Sequence, residues 1–260
     1  MQSIEEFLVS GVFAFLLIFV RLGTAMMIMP GIGDSFVQTN IRLMMALGMS
    51  FVITPIVQNF IPNPVPALPV LFSLILMEFV IGLFIGTVAR TFMAALDTAG
   101  MIISMTSGLA NAQVFNPSMA SQGSITGAFL SMTGVVLLFV TNMHHMLIYG
   151  LVESYHMFPV GGVPDTGSMA GLLVQAFSAS FLIGFQIAVP FVVVAMLLYI
   201  GMGVLSRLMP QVQVFILALP VQIMLSMLTI FLILSTVMLF WLTKFEEGMV
   251  FFLTSGSGGS

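Results

Sequence analysis

Arg21, Glu78, Arg90 and Asp97 lie inside or at the end of long apolar runs, where a charge is expensive and therefore informative. Glu78, Gly82, Gly86 and Arg90 follow one another in four-residue steps, which on a helix traces one slowly drifting face. Asp97, seven residues beyond Arg90, returns to nearly the same face. Gly82 and Gly86 form a small-x-x-x-small pair that lets a second helix backbone approach closely. A charge turned toward lipid costs at least about 2.5–3.5 kcal/mol, so these groups face protein or water. Two chemistries suit them: a proton or ion path, or ion pairing between helices and between subunits. Pairing is favoured, because no neighbouring series of titratable residues continues a relay.

Other reactive residues carry less. His144 and His145 are adjacent and point to different helix faces, whereas helical metal ligands take spacings of three or four, so a packing or helix-end role is expected. Zinc-hydrolase, nucleophile-elbow and phosphate-loop motifs are missing from the sequence, and there is no cysteine. No catalytic residue, metal or cofactor is expected. Gly123, Gly127 and Ser131 make a second small-residue stripe suited to close helix packing. Methionine is abundant, with 24 residues, including Met26, Met27 and Met29 before one break and Met44, Met45 and Met49 after it. Most serve as flexible core filler; a deformable lining that seals against varied surfaces is the sharper reading. The segment Thr106–Pro117 leads from small polar residues through Val114-Phe115 to Asn116-Pro117. It reads either as a surface loop or as a re-entrant, plug-like loop, since non-helical backbone at membrane depth is tolerated only against protein or water.

The elements that position these residues follow from composition. Of 260 residues, 60% are hydrophobic and 5% charged, with a mean hydropathy of +1.21, against about 25% charge in a soluble domain. Such a chain is solvated by lipid, detergent or partner proteins. Five scattered basic residues and a net charge of −4 leave no footprint for nucleic acid. Apolar runs near 7–29, 41–60, 70–96, 125–151, 169–199 and 212–243 predict about six helices of membrane length and an all-α, polytopic fold of helical hairpins with broken helices. Pro30-Gly31 through Asp34 separates the first pair, and Pro62, Pro64, Pro66 and Pro69 form an extended turn before the third run. Pro190 and Pro220 are expected to kink or split the last two runs, and Pro210 to bend the chain between them. Arg21, Arg42, Arg90, Arg207 and Lys244 give almost no positive-inside bias. Glu5 and Glu6 stand where a secretory signal would be basic. Residues 255–260, Ser-Gly-Ser-Gly-Gly-Ser, read as an engineered flexible linker.

An ordered set of residues then resembles one family. Arg21…Pro30-Gly31…Arg42…Pro55, Gly108…Ala112…Phe115-Asn116-Pro117 and Gly184…Ala188-Val189-Pro190…Gly203…Arg207…Pro210-Gln211…Phe215 look like the FliR proteins of flagellar export and their injectisome counterparts, over residues 1 to about 253. The family pattern carries Asp where this chain has Asn116. The resemblance implies a part similar to FliP, about 1–170, fused to one similar to FliQ, about 171–254. It also implies one copy assembled with FliP and FliQ, with FlhB as a further partner. The assembly would be an inner-membrane gate of the flagellar basal body, set largely above the membrane plane. Unfolded rod, hook and filament subunits would pass through it. Gly108, Ala112, Phe115, Asn116 and Pro117 would then belong to a pore plug. Arg21, Arg42, Glu78, Arg90, Asp97 and Arg207 would be assembly or buried charge contacts. A virulence injectisome counterpart and a small-solute secondary transporter are the competing readings; the transporter would use broken helices and midplane charges.

Overall fold

A computed structural model describes residues 4–62, 64–110, 124–162, 164–211 and 214–255. Among them run α1 (Ile4–Ile28), α2 (Thr39–Val57), a 3-10 turn (Gln58–Phe60), α3 (Leu68–Thr106), α4 (Ile125–Val140), α5 (Met143–Met157), α6 (Thr166–Leu208) and α7 (Val214–Ser255). The chain is an all-α, polytopic protein of membrane type. Five helices are long and apolar enough to cross a bilayer, and a sixth span is reached if α4 and α5 are counted together.

The helix ends follow local chemistry. α1 stops just before Met29-Pro30, where proline disfavours helix in the residue preceding it. Gly31, at φ 86°, then turns the chain. α6 starts on Asp165, whose carboxylate accepts the Gly167 N–H at 3.0 Å and the Ser168 hydroxyl at 2.5 Å. The run 125–151 differs from the expected single span. It breaks after Val140, and α4 and α5 are bent by 76°. Asn142 sits at the break with φ 59°, a left-handed backbone that Asn tolerates better than most side chains. Pro190 and Pro220 lie inside unbroken helices, so neither splits its run. One missing N–H in a helix of more than 40 residues leaves the rest of the ladder intact.

Length and burial set these helices apart from simple membrane spans. α3, α6 and α7 have 39, 43 and 42 residues, hence about 58–65 Å at 1.5 Å per residue, twice the roughly 30 Å of a bilayer core. Their apolar faces are mostly outward: only 11% of the candidate span in α7 is buried, against 50% in α1. α2 buries the single stripe Ala46, Ser50, Ile53 and Val57, while Met44 and Phe51 are fully outward.

Contacts group the chain into two units that interleave along the sequence: residues 1–92, 138–176 and 247–260, and residues 93–137 and 177–246. In the first, Phe13 and Leu17 of α1 pack with Leu74 of α3, joined by Ile61, Leu71, Ile75 and Val160. In the second, the backbones of α3 and α4 touch at Gly100 and Gly127, where a Cβ on Gly100 would overlap the Gly127 backbone. Trp241 is buried there and packs on Phe245 at 5.3 Å between ring centroids.

Candidate functional site

Arg21 on α1 and Glu78 on α3 are 0% and 1% exposed. The guanidinium meets the carboxylate as a two-pronged fork, Nε donating to Oε2 at 2.5 Å and Nη2 to Oε1 at 2.9 Å. Nη2 also donates to the Phe158 carbonyl at 2.8 Å, and Nη1 to the Ser154 hydroxyl at 3.2 Å. The face of the Tyr155 ring lies 3.9 Å from the guanidinium carbon, a cation–π contact. α1, α3, α5 and the segment after α5 therefore meet on one cation. The glycine stripe explains the approach. A Cβ at Gly82, one turn beyond Glu78, would overlap the Arg21 carbonyl oxygen, and one at Gly86 would lie 2.9 Å from the Ala25 carbonyl oxygen. The Tyr155 hydroxyl is buried beside this node with no hydrogen-bond partner among the described residues.

The other charges are placed differently. Arg90 is 46% exposed and pairs with Asp34. The second Asp34 oxygen accepts the Gly31 N–H at 2.7 Å. Arg42 donates from Nη1 to the Gly33 carbonyl at 3.2 Å, and its Nε is buried with no partner among the described residues. Arg42 and Arg90 thus converge on one turn. Asp97 is exposed and accepts the Ser131 hydroxyl of α4 at 2.5 Å. Arg207 is exposed in the last turn of α6, where a cation complements the carbonyl end of the helix.

The polar segment after α3 is tied at both ends. α3 stops at Thr106, and Gly108 adopts φ 76° as the chain turns away. The Ala110 N–H donates to the Ser104 carbonyl at 3.0 Å. The Ser104 hydroxyl sits 2.6 Å from that of Ser124 and 3.0 Å from that of Thr126. Ser124 donates to the Gly100 carbonyl at 2.9 Å and accepts the Gly127 N–H at 3.1 Å. A hydroxyl cluster thus fastens residue 124 to the end of α3 and forms a base there. Gln222 of α7 reinforces that base, its Nε2 donating to the Thr106 carbonyl at 2.5 Å and to the Tyr199 hydroxyl at 3.1 Å. Gly108 belongs to the base; Ala112, Phe115, Asn116, Pro117 and Gly123 lie outside the described residues.

Pro210 follows the end of α6, in the turn toward α7, rather than within a helix. His144 and His145 begin α5, with ring centroids 4.1 Å apart, and His144 Nδ1 lies 3.4 Å from the Leu138 carbonyl. Among the described residues no group of three or more potential ligands could hold a metal. A cavity of about 890 Å³ opens between the later half of α6 and the start of α7, lined by apolar residues such as Leu198, Met202, Leu205 and Val221. It offers a polar solute no hydrogen-bonding group.

Periodicity put Glu78 on one face of α3 with Gly82, Gly86 and Arg90 but assigned it no partner, and it left out Ser154, Tyr155 and Phe158, which complete the shell of Arg21 from 133 or more residues away. It also missed Ser104, Ser124, Gln222 and Tyr199. The clustering of Ser and Thr at both edges of the polar segment was the only available signal for the hydroxyl base.

A family model described as "Bacterial export proteins, family 1" matches residues 12–248. The flagellar biosynthetic protein FliR of Caulobacter vibrioides is 39% identical over 232 residues, covering 89% of this chain and 92% of its own. FliR of Bacillus subtilis is 28% identical over 86% of this chain and 87% of its own. The Yop proteins translocation protein T of Yersinia pestis is 33% identical over 58% of this chain and 60% of its own.

Proposed function

Because the chain belongs to the bacterial export proteins of family 1, we propose that it is a structural and pore-forming subunit of the flagellar type III protein export gate. The observation that carries this reading is the similarity to flagellar FliR proteins over 89% and 86% of the chain. The shorter match to the Yersinia protein makes a virulence counterpart the second reading.

In this proposal the chain joins FliP and FliQ as one copy among several, with FlhB as a further partner. Its part up to about residue 170 is similar to FliP, and the α6–α7 hairpin to FliQ. The assembly sits in the bacterial inner membrane at the flagellar basal body and passes unfolded rod, hook and filament subunits. Helices of twice the bilayer thickness with outward apolar faces suit a subunit covered largely by other chains and raised above the membrane plane. The segment near 106–122 serves as the plug, with Phe115 supplying bulk and Asn116-Pro117 fixing its turn. The hydroxyl base at Ser104 and Ser124 gives such a loop a fixed root. Nothing in this role calls for catalysis: the chain seals, deforms and holds its neighbours.

Co-expression with FliP and FliQ, followed by intact-complex mass measurement in detergent, tests the assembly. A stable complex with one copy of this chain is expected; a chain that purifies alone and monodisperse refutes the reading. Deleting residues 110–116 should leave assembly intact and let small ions leak; unchanged permeability would remove the plug role.

A further inference from the structure

We infer that the turn Pro30–Asp34, with Arg42 and Arg90 converging on it, is a docking point for a carboxylate side chain of a neighbouring protein subunit. The inference rests on the assembly role proposed above. Two guanidinium groups reach successive residues of one turn, Arg42 the Gly33 carbonyl and Arg90 the Asp34 carboxylate. One carboxylate serves both cations, and its two oxygens are already engaged by Arg90 and the Gly31 N–H. The turn therefore carries an excess positive charge.

The contrast with Arg21 shows spare capacity. Arg21 uses four hydrogen bonds and is fully enclosed. Among the described residues Arg42 makes a single bond, through Nη1, and Arg90 is 46% exposed. A guanidinium has five N–H donors, so most of the capacity at this turn is unused by the described residues.

The turn itself is stiff. Gly31 holds φ 86°, and a Cβ at Gly33 would overlap the Met27 carbonyl oxygen. The donors are thus presented on a fixed backbone. Their neighbours in the chain form an apolar rim: Phe36 is 62% exposed and Met44 71%, with Ile41 and Met45 also outward. Arginines close in sequence to large exposed apolar side chains suit an interface, and a carboxylate matches a guanidinium fork in two-pronged geometry. α2, beside the turn, keeps only one narrow stripe buried, which leaves a helix-sized face for the chain that bears the carboxylate.

The test uses the full chain in membranes, co-expressed with FliP and FliQ. Arg90→Lys introduces an amine that a water-soluble carbodiimide couples, without a spacer, to an adjacent carboxylate. An amide to Asp or Glu of another subunit, located by peptide mass spectrometry, is the expected product; coupling only to Asp34 of the same chain overturns the inference. Independently, the double variant Arg42→Met/Arg90→Met should cut recovery of intact complex at least about tenfold, while the isolated chain keeps its melting temperature. Unchanged recovery overturns the inference. So does unchanged recovery accompanied by lost binding to phosphatidylglycerol vesicles, which would assign the cations to a lipid phosphate. If the wild-type chain itself joins no complex, the export-gate reading fails; if wild type and double variant assemble alike, only the docking point does.

Discussion

Replacing Glu78 by Gln would leave the Arg21 cation enclosed with no counter-ion, and it turns one of the two accepting oxygens into a donor aimed at the guanidinium. Removing one partner from a buried ion pair costs about 3–5 kcal/mol, chiefly because the remaining charge stays out of water. At about 2–4 °C per kcal/mol for a chain of this size, the melting temperature should fall by about 6–20 °C. The double replacement Arg21→Met with Glu78→Leu removes both charges and fills similar volume. Apolar replacement of a whole buried pair is commonly neutral or better. Here Ser154 keeps its bond to the Leu151 carbonyl at 2.6 Å, whereas the Phe158 carbonyl loses its donor, at about 1–3 kcal/mol. The double variant should therefore recover about half of the loss. Thermal unfolding of the detergent-solubilised chain, followed through its single tryptophan, Trp241, reads both values. If E78Q melts with the wild-type chain, Arg21 does not depend on Glu78 and the account of this node is wrong. Export by the double variant would in addition rule out a proton path through the pair.

Three further outcomes are expected. Gly100→Ala places a Cβ into the Gly127 backbone and should destabilise the chain by about 1–3 kcal/mol, while Gly48→Ala, which meets nothing within 4 Å on α2, should stabilise it by about 0.5–1 kcal/mol; equal melting temperatures for the two would contradict the close α3–α4 approach. Hydrogen bonds from the Ser168 hydroxyl, the Gly167 N–H and the Ser168 N–H hold Asp165 below the usual carboxylate range. Its contribution to α6 is thus complete above the unfolded-state value and disappears as pH falls through the lower folded-state one, so the gap in melting temperature between wild type and Asp165→Ala should close with acidification, and a gap that widened would reverse the sign. Gln222→Leu removes the donor to the Thr106 carbonyl and to Tyr199, so amides of residues 104–110 should exchange with deuterium faster; unchanged exchange would mean that Gln222 does not hold the loop base.

Periodicity made part of the site legible. Four-residue steps place Glu78, Gly82, Gly86 and Arg90 along one face of a helix whatever that helix packs against, and the chain does bring α1 onto that face at Gly82 and Gly86. The same logic put Asp97 with Glu78 and Arg90, but Asp97 bonds to Ser131 instead. The angular drift of a straight helix accumulates over 19 residues, and only the neighbouring helices decide which side it faces. Pro190 and Pro220 do not split their runs, because the loss of one hydrogen bond is small against two long helices. The break at Asn142 was under-read, because nothing in an apolar run announces a single left-handed residue.

By itself the sequence determined that this is a polytopic helical protein of the bacterial export family, since hydropathy and ordered motif residues are properties of the chain in its own order. Tertiary structure alone decided that Arg21 is enclosed by four hydrogen bonds within its own chain while Arg90 stays half exposed, and that Ser104 and Ser124 meet at the end of α3. Those distinctions depend on side chains up to 137 residues apart meeting within hydrogen-bond distance. Local pattern cannot carry that information, because it is fixed only when helices dock and each buried donor must find its acceptor.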